Sequence, residues 1–437
     1  MRQKIIHFTN RPFVRNVATV ASGTAVAQAI TMAFAPLITR LYGPEVFGLQ
    51  GLFVSVVGLL STVAALSYPT AIVLPKSDSD ALSLAKLSIY IGLAMALLTA
   101  VALIFIGDPL FILLNAQAIS DYTFLIPLAM FATVLSAVLA QWLIRKKAFS
   151  LTARFAVITA LLLNSVKSGM GIVAPTALVL IVTNLAGTVL GTALTYLGWR
   201  RSPPTQRLNN ESDERPATLR QLARRHIDFP LLRTPQNLIN AFSQSLPILL
   251  LSTYFGAGSA GQYAIAISVL GIPATLIGGS VMSVFYPRIT AALHNGENAR
   301  ALILKATIGM AATGAIPFLL VMLTGPFLFQ FVFGEAWRSA GVYAQWLSIW
   351  IFLQYINKPA VSAIPALGIQ GGLLIYEVFS TGTKIIALWI GFALYQDAVI
   401  AVALFSLVGS AAYIWLILWV IHKSSQANRS KNGEATK

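Results

Sequence analysis

The sequence predicts an all-α polytopic membrane protein with about twelve transmembrane helices, and three observations predict this class. Of the 437 residues, 57% are hydrophobic and only 10% are charged, which is far too apolar for a soluble chain of this length. The apolar residues form runs of about 20, the length that crosses a bilayer core. Two stretches, 40–60 and 253–273, resemble each other and indicate two similar halves.

Each half of the chain contains six apolar runs. The runs are 16–38, 46–74, 84–106, 121–144, 151–173 and 175–198 in the first half, and 232–254, 260–286, 302–324, 340–364, 369–393 and 397–421 in the second. Because the number of spans per half is even, the halves have the same orientation and are related by an axis along the membrane normal. The predicted organisation is a six-helix lobe at 1–198, a cytoplasmic linker at 199–231, a second six-helix lobe at 232–421 and a basic cytoplasmic tail at 422–437.

The repeat is defined by a glycine turn that occurs once in each half. Gly43 and Gly48 bracket the first Gly-x4-Gly turn, and Gly256 and Gly261 bracket the second. Both turns separate long apolar runs and are followed by a loop containing proline and a basic residue. Because two similar lobes around a central site are the usual scaffold for alternating access, the duplication indicates a transporter.

The basic residues indicate how the chain is oriented. Most of the 30 Lys and Arg residues fall in alternate loops, as the positive-inside rule requires, so both termini are predicted to be cytoplasmic. Topology therefore accounts for the net charge of +16, and no nucleic-acid partner is expected. We expect the first apolar run to remain in the mature chain rather than act as a cleaved signal peptide. Tryptophans lie near the predicted span ends, where indoles anchor at the interface, at Trp142, Trp199, Trp337, Trp415 and Trp419.

The linker contains one stretch with helical character. Pro216 to His226 is predicted as a short interfacial helix, with Leu219 and Leu222 towards lipid and its arginines towards headgroups. Two interpretations of this stretch are open: an anchoring linker without a ligand role, and a regulatory site.

Charged residues inside the spans are the main candidates for function, because a charge at the bilayer centre costs at least about 2.5–3.5 kcal/mol. Lys167, Lys358 and Lys384 lie deep in their spans. Arg40 is a further candidate, although it is near an outer end where water can solvate it. If these cations point inward, they form a cavity suited to a phosphate or pyrophosphate. The alternatives are that Glu377 pairs with a lysine for structural reasons, and that Lys167 snorkels to the surface.

The first helix of each half also carries polar residues. The candidates are Arg15, Asn16 and Gln28 in the first half, and Arg233, Gln236, Asn237, Asn240 and Gln244 in the second. Asn237, Asn240 and Gln244 have the spacing i, i+3, i+7, so they share one helical face. Their amides are able to bind sugar hydroxyls, and the competing explanation is contact between helices.

Catalysis within the membrane is not expected. The four histidines fall in predicted cytoplasmic segments, at His7, His226, His294 and His422, and no HExxH or P-loop pattern occurs. The chain has no Cys, which removes disulfides and thiolate-metal chemistry. The sequence predicts a protein that is not an enzyme and that uses neither cofactor nor metal.

Four stretches resemble the polysaccharide repeat-unit flippases, the O-antigen or exopolysaccharide translocases of the multidrug/oligosaccharidyl-lipid/polysaccharide exporter superfamily. They are Leu37–Gly48 (LITRLYGPEVFG), Tyr254–Tyr263 (YFGAGSAGQY), Val284–Arg288 (VFYPR) and Phe333–Gly341 (FGEAWRSAG). With the twelve-span layout, the resemblance covers roughly 13–421.

The resemblance implies a V-shaped pair of six-helix lobes in the bacterial inner membrane. Such a protein moves an oligosaccharide linked to undecaprenyl pyrophosphate from the cytoplasmic to the periplasmic leaflet while the lipid tail stays in the bilayer. A cationic cavity in the family corresponds here to Arg15, Arg233, Lys358 and Lys384. Coupling to a proton or sodium gradient is a further expectation, with Glu377 as the acidic residue deep in a span. The implied partners are membrane lipids, a polysaccharide polymerase and a chain-length regulator.

The sequence leaves three alternatives open. A peptidoglycan-precursor flippase of the same superfamily usually has two further C-terminal helices. A drug exporter of that superfamily is expected to carry more acidic residues within its spans, whereas this interior is net basic. A membrane glycan polymerase, which belongs to a different class, is expected to have a long periplasmic loop, and the outer loops here are short.

Overall fold

The computed structural model describes residues 12–75, 77–113, 117–146, 148–201, 217–295 and 297–434. The helices, numbered in chain order, are α1 Pro12–Leu41, α2 Pro44–Ala64, α3 Tyr68–Ala71, α4 Asp78–Leu113, α5 Leu125–Arg145, α6 Phe149–Val173, α7 Ala177–Arg200, α8 Leu219–Arg225, α9 Thr234–His294, α10 Ala299–Phe333, α11 Arg338–Ile356, α12 Lys358–Leu367, α13 Gln370–Ile390 and α14 Ala398–Glu434. A span in lipid must satisfy its own backbone hydrogen bonds, which an α-helix does. The predicted all-α class is therefore confirmed.

Several sequence predictions fall partly outside the described residues. The predicted linker 199–231 is described only up to 201 and from 217 onward, and the predicted tail 422–437 is described up to 434. His7 and the basic residues before residue 12 also lie outside the description.

Ten helices in the described part of the chain are long and apolar enough to cross a membrane. The number of predicted spans, twelve, exceeds this count by two, and two regions of the chain account for the difference. Predicted spans 232–254 and 260–286 both fall in α9, whose apolar stretch Phe229–Ala274 counts once. Predicted span 340–364 is divided into α11, with 19 residues, and α12, with 10, and neither is among the ten.

Gly256 divides α9 into two helical arms. Its backbone has φ +84° and ψ 167°, a conformation that residues other than glycine rarely adopt. At the equivalent place in the first half, Gly43 separates α1 from α2, and Pro44 occupies the first turn of α2. Proline is favoured there because a backbone N–H in the first turn has no hydrogen-bond partner within the helix. Both glycines of the predicted repeat thus lie where one helix stops and another begins.

The chain forms two compact units, residues 1–253 and 254–437. The boundary lies inside α9, so the first arm of α9 belongs to the first unit. The lobes 1–198 and 232–421 are defined by sequence repetition, which is a different property from compactness, and they remain a prediction.

In the first unit, α1 packs along α6, and α5 contacts α2, α4 and α7. Tyr42, at the end of α1, is fully buried, and its hydroxyl donates to the carbonyl of Lys167 on α6 at 2.9 Å. Below it, Asn164 Nδ2 donates to Thr31 Oγ1 at 3.3 Å. The long contact between α1 and α6 is thus fixed at two levels.

The short helix α8 packs on protein, which corrects one prediction. Leu222 is 1% exposed and belongs to the apolar cluster that includes Ala64, Tyr68 and Leu84. The sequence prediction directed Leu222 towards lipid and was wrong, because the apolar periodicity of a helix identifies an apolar face but not whether lipid or protein covers it.

In the second unit, α10 packs along α11, and α14 contacts α11, α12 and α13. Trp337 is only 1% exposed, so the prediction that it anchors at the interface is wrong. Tyr254, beside the break in α9, stacks on Phe392 at 4.2 Å between ring centroids. This aromatic contact joins the end of the first helix of the second half to the segment after α13.

Candidate functional site

A polar cavity of about 500 Å³ lies within the first unit, among α2, α3, α5 and the first arm of α9. Its lining consists of Gly58, Ser61, Thr62, Ala65, Ser67, Pro69, Thr70, Thr133, Val134, Ala137, Asn237, Asn240, Ala241, Gln244 and Ser245. Most of these residues are small or carry a hydroxyl or amide group. Ligand cavities of this size typically place a few polar groups among apolar walls.

The three amides predicted to share a face of α9 all line this cavity. Gln244 Nε2 donates to Asn240 Oδ1 at 2.6 Å, and both side chains are exposed. Asn237 Nδ2 donates to Ser67 Oγ at 3.3 Å. Each amide nitrogen carries two hydrogens, so Gln244 and Asn237 both keep a second donor beyond these bonds.

The cavity face of α2 was not singled out in the sequence. Gly58, Ser61, Thr62 and Ala65 have the spacing i, i+3, i+4, i+7, which places small and hydroxyl residues on one helical face. Thr62 Oγ1 donates to the carbonyl of Gly58 at 2.8 Å, which leaves its lone pairs as acceptors. The hydroxyl of Ser61 is buried and has no hydrogen-bond partner among the described residues. The regular spacing of these small and hydroxyl residues is the sequence signal that could have identified this face of α2.

The turn between α2 and α3 is strained at the edge of the cavity. Leu66 and Ser67 have φ values of +49° and +57°, and a left-handed conformation costs a residue with a side chain roughly 1–2 kcal/mol. Ser67 Oγ accepts from Thr234 Oγ1 at 2.9 Å as well as from Asn237, and these bonds hold the turn. Such strain concentrates at functional sites, where the surrounding structure maintains it.

The chemistry of this cavity is neutral. None of the described residues that line it is acidic or basic, while its amides offer donors and its hydroxyls and carbonyls offer acceptors. A ligand rich in hydroxyl groups matches both kinds of group. The described lining residues provide no cation for a phosphate.

The other polar candidates of the first unit lie elsewhere. Gln28 is half-buried on α1, and Arg40 is exposed at the end of α1. Lys167 is half-buried on α6, where its carbonyl binds Tyr42. Arg233 is exposed, and its Nη1 donates to Gln236 Oε1 at 3.3 Å. The side chains of Arg15 and Asn16 lie outside the described residues.

The second unit contains the lysine with the best-defined surroundings. Lys384 Nζ on α13 lies 5.8 Å from the ring centroid of Trp350 on α11 and 5.8 Å from that of Phe405 on α14. This distance is within the range of a cation–π interaction. Gly409 on α14 makes room for the arrangement, because a Cβ there would lie 2.7 Å from the Trp350 ring and 3.4 Å from Lys384 Cδ.

The neighbouring helices α11 and α14 also carry polar groups. Gln354 Nε2 donates to Tyr413 Oη at 3.0 Å, and the rings of Tyr413 and Trp350 stack at 6.5 Å. The hydroxyl of Ser406, a fully buried residue on α14, has no hydrogen-bond partner among the described residues. The half-buried lysine thus lies against the aromatic rings of α11 and α14, two helices that also carry uncharged polar side chains.

Lys358 and Glu377 belong to the same unit. Lys358 begins α12, directly after the buried Asn357, and is half-buried. Glu377 is half-buried on α13, seven residues before Lys384, and the two charges interact electrostatically. The structure therefore places three of the predicted charged residues in one unit and the predicted amides in the other.

Among the described residues, no group of three or more His, Asp or Glu side chains is arranged to hold a metal ion.

Comparison with known proteins identifies related sequences. The sequence model of a family described as "Polysaccharide biosynthesis protein" matches residues 37–341. The chain is 25% identical over 317 residues to the succinoglycan biosynthesis transport protein ExoT of Rhizobium meliloti (strain 1021), a match that covers 70% of this chain. The match covers 59% of that relative's length.

Solved structures share the fold. An inward-facing multidrug resistance MATE family transporter of the MOP superfamily superposes with a TM-score of 0.68 at 15% identity, covering 92% of this chain and 96% of its own. The lipid II flippase MurJ in an inward closed conformation gives a TM-score of 0.68 at 13% identity, covering 94% of this chain and 89% of its own. A MOP superfamily transporter from Pyrococcus furiosus gives 0.64 at 15% identity, with coverages of 94% and 96%. These similar structures are transporters and a flippase rather than catalytic enzymes.

Proposed function

For a chain that belongs to the family of polysaccharide biosynthesis proteins and is a multi-pass membrane protein, we propose a flippase function. The proposed substrate is an oligosaccharide repeat unit linked to undecaprenyl pyrophosphate. The protein moves it across the bacterial inner membrane by alternating access, and the product serves the synthesis of O-antigen or exopolysaccharide.

The neutral polar cavity of the first unit carries this proposal. Sugar hydroxyls both donate and accept hydrogen bonds, and the cavity offers Asn237, Asn240 and Gln244 as donors and the hydroxyls of α2 as acceptors. Each such bond adds about 0.5–1.5 kcal/mol net. A neutral glycan is therefore bound by many modest contacts, which permits release on the other side.

The basic residues of the second unit are proposed to attract the pyrophosphate. Lys358 and Lys384 are ammonium groups in partly buried positions, where a charge-assisted hydrogen bond is roughly twice as strong as a neutral one. Arg15, Arg233, Arg40 and Lys167 are further proposed contacts, and Gln28 and Asn16 are proposed sugar contacts. The lipid tail remains in the bilayer.

Glu377 is proposed to couple transport to an ion gradient, with a proton as the first choice and sodium as the second. Its carboxyl is half-buried and close enough to Lys384 for electrostatic interaction, so binding of a cation changes the field at the lysine. Glu377→Gln is expected to abolish any dependence of transport on the pH gradient. A transport rate that responds to the gradient equally in both proteins would exclude this role.

The names of the relatives agree with the proposal. ExoT is named as a transport protein for succinoglycan biosynthesis, and MurJ as a lipid II flippase. A polysaccharide polymerase and a chain-length regulator are proposed as functional partners, because a flipped repeat unit must then be joined to a polymer. We place both termini in the cytoplasm.

Deletion of the gene in its native host tests the proposal. We expect the surface polymer to disappear and single repeat units on undecaprenyl pyrophosphate to accumulate at the cytoplasmic leaflet. Repeat units that reach the periplasm but stay unpolymerised would instead assign the chain as a glycan polymerase.

A small-molecule exporter is the second candidate, favoured by the structural likeness to the MATE transporter. The same deletion strain separates the two. Unchanged surface glycan together with altered drug sensitivity would support the exporter.

A further inference from the structure

The helix α8 is fixed to the first unit at several points. Leu222 is buried against Tyr68 and its neighbours. The Tyr68 hydroxyl donates to the carbonyl of Ala223 at 3.0 Å, and the amide of Ala217 donates to Asp80 Oδ1 at 2.9 Å. Thr218 caps the helix through its capping box with Gln221. This part of the connection between the two halves is therefore held in one orientation.

That orientation turns three arginines away from the protein. Arg220, Arg224 and Arg225 are exposed, and none of them forms an ion pair with a described residue. The exposed acidic residue in this stretch is Asp228. Arg224 and Arg225 occupy the last turn of the helix, where a cation also complements the helix dipole.

Large apolar side chains are exposed immediately after these arginines. Ile227, Leu231 and Leu232 are 49%, 65% and 71% exposed. Arginines followed by exposed aliphatic side chains are the composition of a segment at a membrane interface, where the cations meet headgroups and the apolar residues enter the acyl boundary.

The surrounding helix ends place α8 at the basic end of the unit. Asp80 belongs to the first turn of α4, and Asp78 in the same turn binds Arg145 at 2.8 Å and also binds Lys146, at the end of α5. Trp142 and Trp199 meet at 5.9 Å between ring centroids, which brings the end of α7 and Arg200 to the same level. Several helices thus present basic residues at one end of the unit, which is cytoplasmic in the predicted topology.

We propose that Arg220, Arg224 and Arg225 form a binding site for the phosphate headgroups of anionic phospholipids in that leaflet. Each guanidinium is able to bind a phosphate through two parallel hydrogen bonds, and Ile227, Leu231 and Leu232 contact the acyl chains. The site anchors α8, and with it the start of α9, to the membrane surface. It is independent of the transported substrate.

Native mass spectrometry of the detergent-solubilised full chain tests the site. The protein is equilibrated with mixed micelles of equimolar phosphatidylglycerol and phosphatidylethanolamine, and bound lipids are counted. A basic residue near an anionic surface contributes about 1 kcal/mol, so the triple variant Arg220→Gln, Arg224→Gln, Arg225→Gln is expected to lower the preference for phosphatidylglycerol roughly 100-fold.

Two further variants control the result. The charge-preserving triple change of the same arginines to lysine is expected to keep most of the preference. Arg300→Gln, Lys305→Gln and Arg338→Gln remove three exposed cations of the second unit and are expected to leave the preference unchanged. If the glutamine triple unfolds, Arg224→Gln alone replaces it.

An equal preference in wild type and the α8 triple variant would overturn the proposal and leave these arginines to another partner, such as an acidic protein segment. A loss of the same size in the second-unit variant would also overturn it, because lipid selectivity would then follow net charge rather than this site.

Discussion

At the residue scale, the surroundings of Lys384 explain how a lysine is kept within a membrane protein. Its ammonium group lies over the rings of Trp350 and Phe405, and a cation–π contact of this kind is worth about 0.5–2 kcal/mol. That energy offsets part of the cost of removing the charge from water.

Lys384→Ala is expected to reduce transport by about 10- to 100-fold, because a hydrogen bond to a charged group contributes about 1.5–3 kcal/mol. The measurement is restoration of surface polysaccharide in the deletion strain. Lys384→Arg is expected to restore part of the activity, and Lys305→Ala, which removes an exposed lysine of α10, is the matched control. Full complementation by Lys384→Ala would exclude a role for this lysine in transport.

The amides of the first unit provide an independent residue-scale prediction. Asn240→Ala with Gln244→Ala removes two amides that are exposed in the cavity, and the loss of about two hydrogen bonds is expected to weaken substrate binding roughly 10- to 100-fold. The readout is the substrate concentration at half-maximal transport in reconstituted vesicles. The control is Gln370→Ala, which removes an exposed amide at the start of α13, and an unchanged half-saturating concentration in the double variant would contradict the assignment.

The sequence predicted part of the site at this scale. The stripe Asn237, Asn240 and Gln244 was found because amides at i, i+3, i+7 are unusual in an apolar helix. The hydroxyls of α2 and the strained pair Leu66 and Ser67 were missed, because small polar residues are common in membrane helices and backbone strain has no signature in composition. Leu222 was misplaced because periodicity identifies an apolar face but not what covers it.

At the scale of the elements, close approach of helices depends on individual glycines. Gly171 on α6 faces the buried ring of Tyr42, and a Cβ at Gly171 would lie 2.6 Å from Tyr42 Cε2. Tyr42 is unable to retreat easily, because it is fully buried and its hydroxyl is bonded to α6. The packing of α1 on α6 therefore requires a glycine here.

Gly171→Ala is expected to lower the free energy of unfolding by about 1–3 kcal/mol, the usual cost of overpacking. Gly169→Ala is the matched control on the same helix, since a Cβ there meets nothing within 4 Å, and alanine favours the helix by up to about 1 kcal/mol. Thermal unfolding in detergent gives both values. Equal midpoints for the two variants would refute the proposed contact.

The elements themselves were largely predictable, because a membrane span needs a long apolar run, and within lipid an α-helix satisfies the backbone hydrogen bonds of that run. The differences arise at polar or glycine-containing positions. Gly256 leaves α9 as one long element with two arms, and Asn357 separates α11 from α12. Hydropathy averages over such single residues and so does not locate the breaks.

At the scale of the whole molecule, the family and the fold agree with the class predicted from composition and repetition. The chain belongs to the family of polysaccharide biosynthesis proteins over residues 37–341, and it shares its fold with a MATE family transporter and with MurJ. The sequence also predicted which residues are polar within the spans. It was unable to predict that the amides of α9 belong to one compact unit while Lys358 and Lys384 belong to the other, because this division depends on tertiary packing.

Transfer of the substrate across a bilayer is the measurement that tests the central claim most directly. The full chain is reconstituted into vesicles that contain an undecaprenyl-pyrophosphate-linked oligosaccharide, and a membrane-impermeant lectin reports the sugar that appears on the opposite leaflet. We expect transfer that depends on the protein, falls with Lys384→Ala and with the Asn240 and Gln244 double variant, and is unchanged with Lys305→Ala. Transfer no faster than in protein-free vesicles would contradict the proposed flippase function.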